Sequence, residues 1–155
     1  MPFRVSGLKA EPFRQLYGLT DTELLARGAR RYLVDKTPGF PDRIELRDLT
    51  PGETALLVNY THQDADTPYR ASHAIFVREG AEQTCSLIDE IPEVMQRRML
   101  SLRAFDAAHM MVDATLVDGR QARETVERLL SNDSVAYIQA HYAQRGCYAA
   151  RIERE

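Results

Sequence analysis

TALLVNYTHQDADTPYRASHAIFVREG, Thr54 to Gly80, decides how this chain is read. Two apolar runs, Ala55 to Val58 and Ala74 to Val77, have the length and composition of strands. The connection between them holds Asn59, Tyr60, His62, Asp64, Asp66, Tyr69, Arg70, Ser72 and His73. Turns are made mainly from Gly, Pro, Asn, Asp and Ser, so this density of imidazole, phenol and guanidinium exceeds what a surface turn needs. The stretch predicts a strand–loop–strand unit and is the first place to look for a site.

Upstream, Arg43-Ile44-Glu45-Leu46-Arg47 alternates charged and apolar residues. It reads as a strand with Ile44 and Leu46 in the core and the three charges in water. Thr50-Pro51-Gly52-Glu53 has Pro and Gly where a type II turn wants them, which would make a hairpin into Ala55 to Val58. Asp35 to Asp42, with Pro38, Gly39 and Pro41, is a stiff loop after a strand at Arg30 to Val34. Further back, Thr20-Asp21-Thr22-Glu23 is a capping box for a helix over Asp21 to Arg27, and Gly28 is placed to end it. Glu11 to Tyr17 carries one apolar stripe at helical spacing, and Phe3 to Val5 is a short strand.

Downstream of Gly80 a weak strand falls around Gln83 to Leu87. Pro92 suits a first helical position, and Ile91, Met95, Met99 and Leu102 recur at helical spacing. Met110 to Val117 alternates as a strand. Asp118-Gly119 then turns into a helix with Ala122, Val126, Leu129 and Leu130 on its buried face and a Glu124–Arg128 pair in support. Val135 to Tyr142 and Cys147 to Ile152 are joined by a link short enough for an antiparallel hairpin. The fold class is α+β: one layered domain with a curved, mostly antiparallel sheet of six to eight strands and three to four helices on one face.

The chain has 155 residues, 44% of them hydrophobic and 28% charged, the balance of a globular domain rather than a disordered or membrane-embedded one. No apolar run approaches the ~18 residues of a spanning helix, and the first ten residues lack the apolar core of a signal peptide. The cytoplasm is the expected compartment, with Cys85 and Cys147 as free thiols. A net charge of -3 with the basic residues scattered argues against nucleic acid as a partner.

Strand parity puts Tyr137, Gln139 and His141 on one face of their strand and Ala136, Ile138 and Ala140 on the other. The second face is core. The first either is solvated or lines a cleft with Asn59 and His73. Arg103, flanked by Leu102, Ala104 and Phe105, must snorkel, pair with Asp106 or Asp113, or hold a ligand, because a buried unpaired guanidinium is prohibitive. Four residues, His62, His73, His141 and Cys147, are acceptable ligands for a cation such as zinc, but their spacing matches no HxH, HExxH or CxxC template and no metal site is assigned. Cys147 as a nucleophile stands against Cys147 as a small buried strand residue.

The words NYTHQ at Asn59, TPYRASHAIFVREG at Thr67, LSLRAFD at Leu100, MMVDA at Met110 and GCYAAR at Gly146 together resemble the bacterial domain of unknown function 1203 family. The resemblance covers nearly the whole chain and implies no established activity, cofactor or substrate. Relatives tend to carry a cysteine after GFP, where this chain has Asp42. They also have a histidine-rich word before GCYA, where this chain has only His141. Those departures weaken any metal or thiol mechanism that needs the missing groups.

The sequence thus leads to a small domain that binds, or acts on, a small anionic ligand in a pocket between the 59–73 connection and the 137–151 hairpin. In the enzymatic version His73 or His141 is the general base, Arg70 and Arg103 hold the anion, and Tyr69 or Tyr148 orients the substrate, with Asn59, His62 and Arg151 completing the lining. The other readings are an interaction module without turnover, in its simplest form a homodimer, and a metal-binding protein.

Overall fold

The computed structural model describes residues 2–155. Among them the elements run β1 (Phe3–Ser6), α1 (Glu11–Arg14), α2 (Asp21–Ala26), β2 (Arg30–Leu33), β3 (Thr54–Gln63), β4 (Ala71–Arg78), β5 (Ser86–Ile88), α3 (Glu93–Gln96), β6 (Met99–Phe105), β7 (Met111–Asp118), α4 (Ala122–Leu130), β8 (Tyr137–Tyr142) and β9 (Tyr148–Arg154). This is an α+β fold with two sheets, not one. The larger has the order β5-β1-β9-β8-β6-β7 and the smaller β2-β3-β4, and every pairing is antiparallel.

Period-2 burial explains the layering. On β8, Ile138 and Ala140 point with Leu100, Leu102 and Ala104 of β6 into a core closed by Val94 and Met95 of α3 and Val126, Leu129 and Leu130 of α4. On the opposite side, Leu56, Val58, Ile75 and Val77 of the smaller sheet pack with Phe13, Leu24 and Tyr148. The larger sheet is therefore covered on one face by α3 and α4 and on the other by the smaller sheet with α1 and α2. The Thr20–Glu23 capping box forms, and Gly28 ends α2 at φ 73°. Asp118 accepts a hydrogen bond from the Arg120 amide and starts the 3-10 turn, Gly119–Gln121, that leads into α4. The supporting pair on α4 is Arg123–Glu127 rather than Glu124–Arg128.

Besides the 59–73 connection, most of which is strand because β3 runs to Gln63 and β4 starts at Ala71, two elements differ from expectation. Residues 43–47 form no strand, and β3 pairs there with β2. The Asp42 carboxylate accepts hydrogen bonds from the Ile44 and Glu45 amides at 3.1 and 2.5 Å, and Leu46 sits at φ 53°. A side chain that captures backbone donors in this way competes with a ladder for them. Consequently Arg43, expected in water, is 1% exposed. The second difference is Met99 and Leu102, expected on a helix and found on β6. Helix α3 ends at Gln96, because the following segment is the central strand between β7 and β8 and buries Leu100, Leu102 and Ala104 by alternation.

Candidate functional site

Arg43 is the starting point, because its charge has no carboxylate partner among the described residues. Its Nε donates to the Tyr148 carbonyl at 2.8 Å, Nη1 to the Pro41 carbonyl at 2.6 Å, and Nη2 to Cys147 Sγ at 3.0 Å. The guanidinium also lies 5.0 Å from the Tyr142 ring centroid, within cation–π range. Arg98 approaches the same ring at 5.2 Å, but its charge is met by Asp48 at 2.6 Å. Burial alone would raise the Asp48 carboxyl, and the hydrogen bonds and charges of Arg98 and Arg97 outweigh it, so the group is held below the usual range.

Arg43, Arg97, Arg98, Tyr142 and Cys147 form one wall of a cavity of about 870 Å³. A second wall is His73, Ala74, Ile75 and Phe76 of β4, and a third is the β8–β9 turn, with Gln144 and Arg145. Lys36, Gly39 and Pro41 close it from the proline-rich loop, while Leu57, Met99 and Leu116 give it apolar patches. Its lining carries five permanent cations, Lys36, Arg43, Arg97, Arg98 and Arg145, and no carboxylate. Tyr142 is 5% exposed and its hydroxyl has no hydrogen-bond partner among the described residues. Burial pushes that phenol up to about 12, so it stays protonated and able to donate.

The polar face of β8 is buried rather than solvated, and Gln139 reaches the lining of a small cleft. His62 of β3 lies over Gln139, with Nδ1 2.9 Å from Gln139 Oε1, while Gln139 Nε2 donates to the His62 carbonyl at 2.7 Å. The His62 and His141 rings meet edge to face at 4.8 Å between centroids, and His62 stacks on Tyr148 at 5.8 Å. His141, 0% exposed, faces two oxygens: Gly146 O lies 3.1 Å from Nδ1 and Gln139 Oε1 3.4 Å from Nε2. Burial first, and the nearby Arg103 charge second, push its imidazole down to about 3. A neutral ring has one N–H and can donate to only one of these two oxygens. The seam continues from Gln63 Nε2, which donates to the Tyr137 hydroxyl at 2.8 Å, to His109, whose Nδ1 is 2.7 Å from that hydroxyl.

Of the residues singled out from sequence, His62, Tyr148 and Arg151 line a smaller cleft of about 300 Å³ with Tyr60 and Gln139. His141 lies beneath it. His73 lines the large cavity instead, together with Cys147. Arg103 does not pair with Asp106 or Asp113: it donates to Ser101 Oγ at 3.2 Å, and burial lowers its pKa. Register explains this, since Ala104 stands opposite Asp113 and Arg103 opposite Ala114, which puts Asp113 on the other face of the sheet. Arg151 sits over the Tyr137 ring at 4.0 Å and pairs with Glu153. Asn59 is on the exposed outer face of β3, Arg70 is exposed at the β3–β4 turn, and Tyr69 beside it leans edge-on against Phe105. The same four residues considered for a metal are divided, with His62 and His141 in one cluster and His73 and Cys147 at the cavity. Among the described residues no group of three or more potential ligands is gathered for a metal ion.

Sequence reasoning missed Arg43, Tyr142, Lys36, Arg145, Arg97 and Arg98. A signal existed for Arg43: it follows Pro41-Asp42, where proline and a short carboxylate favour a turn over a strand. None marked Tyr142, whose surroundings come from three distant segments.

Fold and geometry together define an α+β protein of two antiparallel sheets with a cation-walled cavity beside a buried histidine cluster. A family model described as a protein of unknown function (DUF1203) matches residues 39–154, and the chain belongs to that family. Comparisons with curated proteins and with solved structures give no match. Among the described residues no helix is long and apolar enough to cross a membrane.

Proposed function

We propose that this protein binds a small organic anion in the 870 Å³ cavity, with Arg43, Arg145 and Lys36 meeting its charge and Leu57, Phe76 and Leu116 its apolar part. The observation that carries the reading is the lining: Arg97 and Arg98 are met by Asp48 and Glu93, but Lys36, Arg43 and Arg145 have no carboxylate partner among the described residues, and Arg43 is buried. A buried cation without a counter-charge is costly even when hydrogen-bonded, and an anionic ligand offsets part of that cost. The volume falls within the ~300–1,000 Å³ typical of small-molecule sites. His73 at the rim is the base of an enzymatic version. Two free cysteines fit a cytoplasmic setting, and the scattered basic residues fit a ligand other than nucleic acid.

The test is calorimetric and thermal titration with mono- and dicarboxylates and phosphate esters at low salt, on the wild type and on a Lys36→Glu/Arg145→Glu variant. A ligand at about 100 times its Kd raises stability by ~2.7 kcal/mol. A panel in which no anion raises the melting temperature, or one in which charge reversal leaves binding unchanged, ends the proposal.

A second reading, pairing with another copy of the chain, has its support in β7. This edge strand of the larger sheet exposes Val112 and, 65% exposed, Leu116. An open apolar edge is a template for a further strand. Light scattering across concentration decides it: a monomer at every concentration removes the reading.

A further inference from the structure

We propose that Cys147 is a modification site, a thiol that exchanges with anionic disulfides drawn into the cavity; the inference rests on the anion-binding reading above. Cys147 is 8% exposed and lines the cavity. Its Sγ accepts a hydrogen bond from Arg43 Nη2 at 3.0 Å, so the sulfur's lone pair is held while its proton points elsewhere. Two neighbours on the same wall are nine-tenths buried or more and, among the described residues, incompletely satisfied: Arg43, whose charge has no carboxylate partner, and Tyr142, whose hydroxyl has no hydrogen-bond partner. Arg43 touches the sulfur, so an anion that meets its charge comes to lie beside Cys147.

Cys85 is the internal contrast. It is more exposed than Cys147, yet burial and then the charges of Glu90 and Asp42 push its thiol up, and those carboxylates repel an anionic reagent. If exposure governed reactivity, Cys85 would react first. If the field of the cavity governs it, Cys147 does.

In the exchange, Cys147 Sγ attacks one sulfur of the disulfide and a new S–S bond forms as the old one breaks. The departing half leaves as a thiolate with the electron pair of the broken bond, and the Cys147 proton goes to it or to solvent. The disulfide is the only oxidant required.

The experiment uses two small disulfides of similar size and opposite charge, dithiodiglycolate and cystamine, with acid-quenched samples read by intact mass and peptide mapping. At low ionic strength the adduct on Cys147 is expected to form at least about tenfold faster with the dianion than with the dication, a ratio that salt collapses and that Lys36→Glu/Arg145→Glu reverses or abolishes. Faster dianion labelling at Cys85 than at Cys147, equal rates for the two reagents, or an unreactive Cys147 overturns the proposal. Titrating Cys147→Ser with the same carboxylates separates the causes. When Cys147 labelling fails and that variant still binds anions, only the thiol proposal has failed; if it and the wild type bind none, the anion reading has failed as well.

Discussion

Protonating His141 should unfold this protein by degrees, and the dependence can be worked from its surroundings. The ring is 0% exposed and its folded pKa is pushed from 6.5 to about 3 by burial and the Arg103 charge. In the pH range between those two values the unfolded chain binds a proton that the folded chain does not, so stability rises with pH. It is fully present above 6.5 and is lost on acidification until about 3, where the folded ring titrates too. From about pH 7.5 to about pH 5.5, the loss from this one group is ~1.4 kcal/mol. For a chain of this length that is about 3–5 °C in melting temperature. Burial also lowers His62, which adds to the same side. The assay is urea unfolding at both pH values for the wild type and for His141→Gln, which keeps an amide donor for the Gly146 carbonyl. The variant is expected to be less stable at both but to lose roughly 1.4 kcal/mol less between them. An unchanged difference would refute the reasoning. So would a wild type that gains stability on acidification, since the two oxygens facing His141 would then outweigh burial by binding the doubly protonated ring.

Glu79 works at lower pH: the Arg31 hydrogen bond and charge hold it at about 2, so its stabilisation is present above the usual 4.5 and fades as pH falls towards 2. After solvent screening the group is worth about 1–2 kcal/mol, and Glu79→Gln should flatten acid unfolding below pH ~4.5 by that amount in a circular-dichroism titration. His62 and His141 are in direct contact, their rings edge to face at 4.8 Å between centroids, whereas His73 lines a different cavity. A double-mutant cycle to alanine, read by denaturant unfolding, should give an interaction of about 0.5 kcal/mol or more for that pair and less for His73 with His141. Gly119 lets the 3-10 turn lie against α3, where an added Cβ would sit 1.8 Å from the Met95 carbonyl oxygen. Gly119→Ala should therefore cost on the order of 2 kcal/mol or more, and a melting temperature within a degree of wild type would show that the turn can shift.

What the sequence by itself determined is whatever depends on neighbours along the chain. The capping box at Thr20, the left-handed Gly28, the turn at Thr50 to Glu53, the buried face of α4 and the alternation of β8 were all legible. Each is fixed by local hydrogen bonding or by a repeat of 3.6 or 2 residues. The same parity correctly grouped Tyr137, Gln139 and His141. It could not say what covers them, because an alternating polar face looks the same against water as against a second sheet. That a separate three-stranded sheet brings His62 over Gln139, and that the chain around Arg43 gives up a ladder so the guanidinium can lie against Tyr142 and Cys147, was decided by contacts between residues about 80 to 100 positions apart. Local propensity carries no information about such pairs. Their partners are chosen by which arrangement buries the two apolar cores while leaving the fewest polar groups unpaired, and only the assembled chain makes that choice.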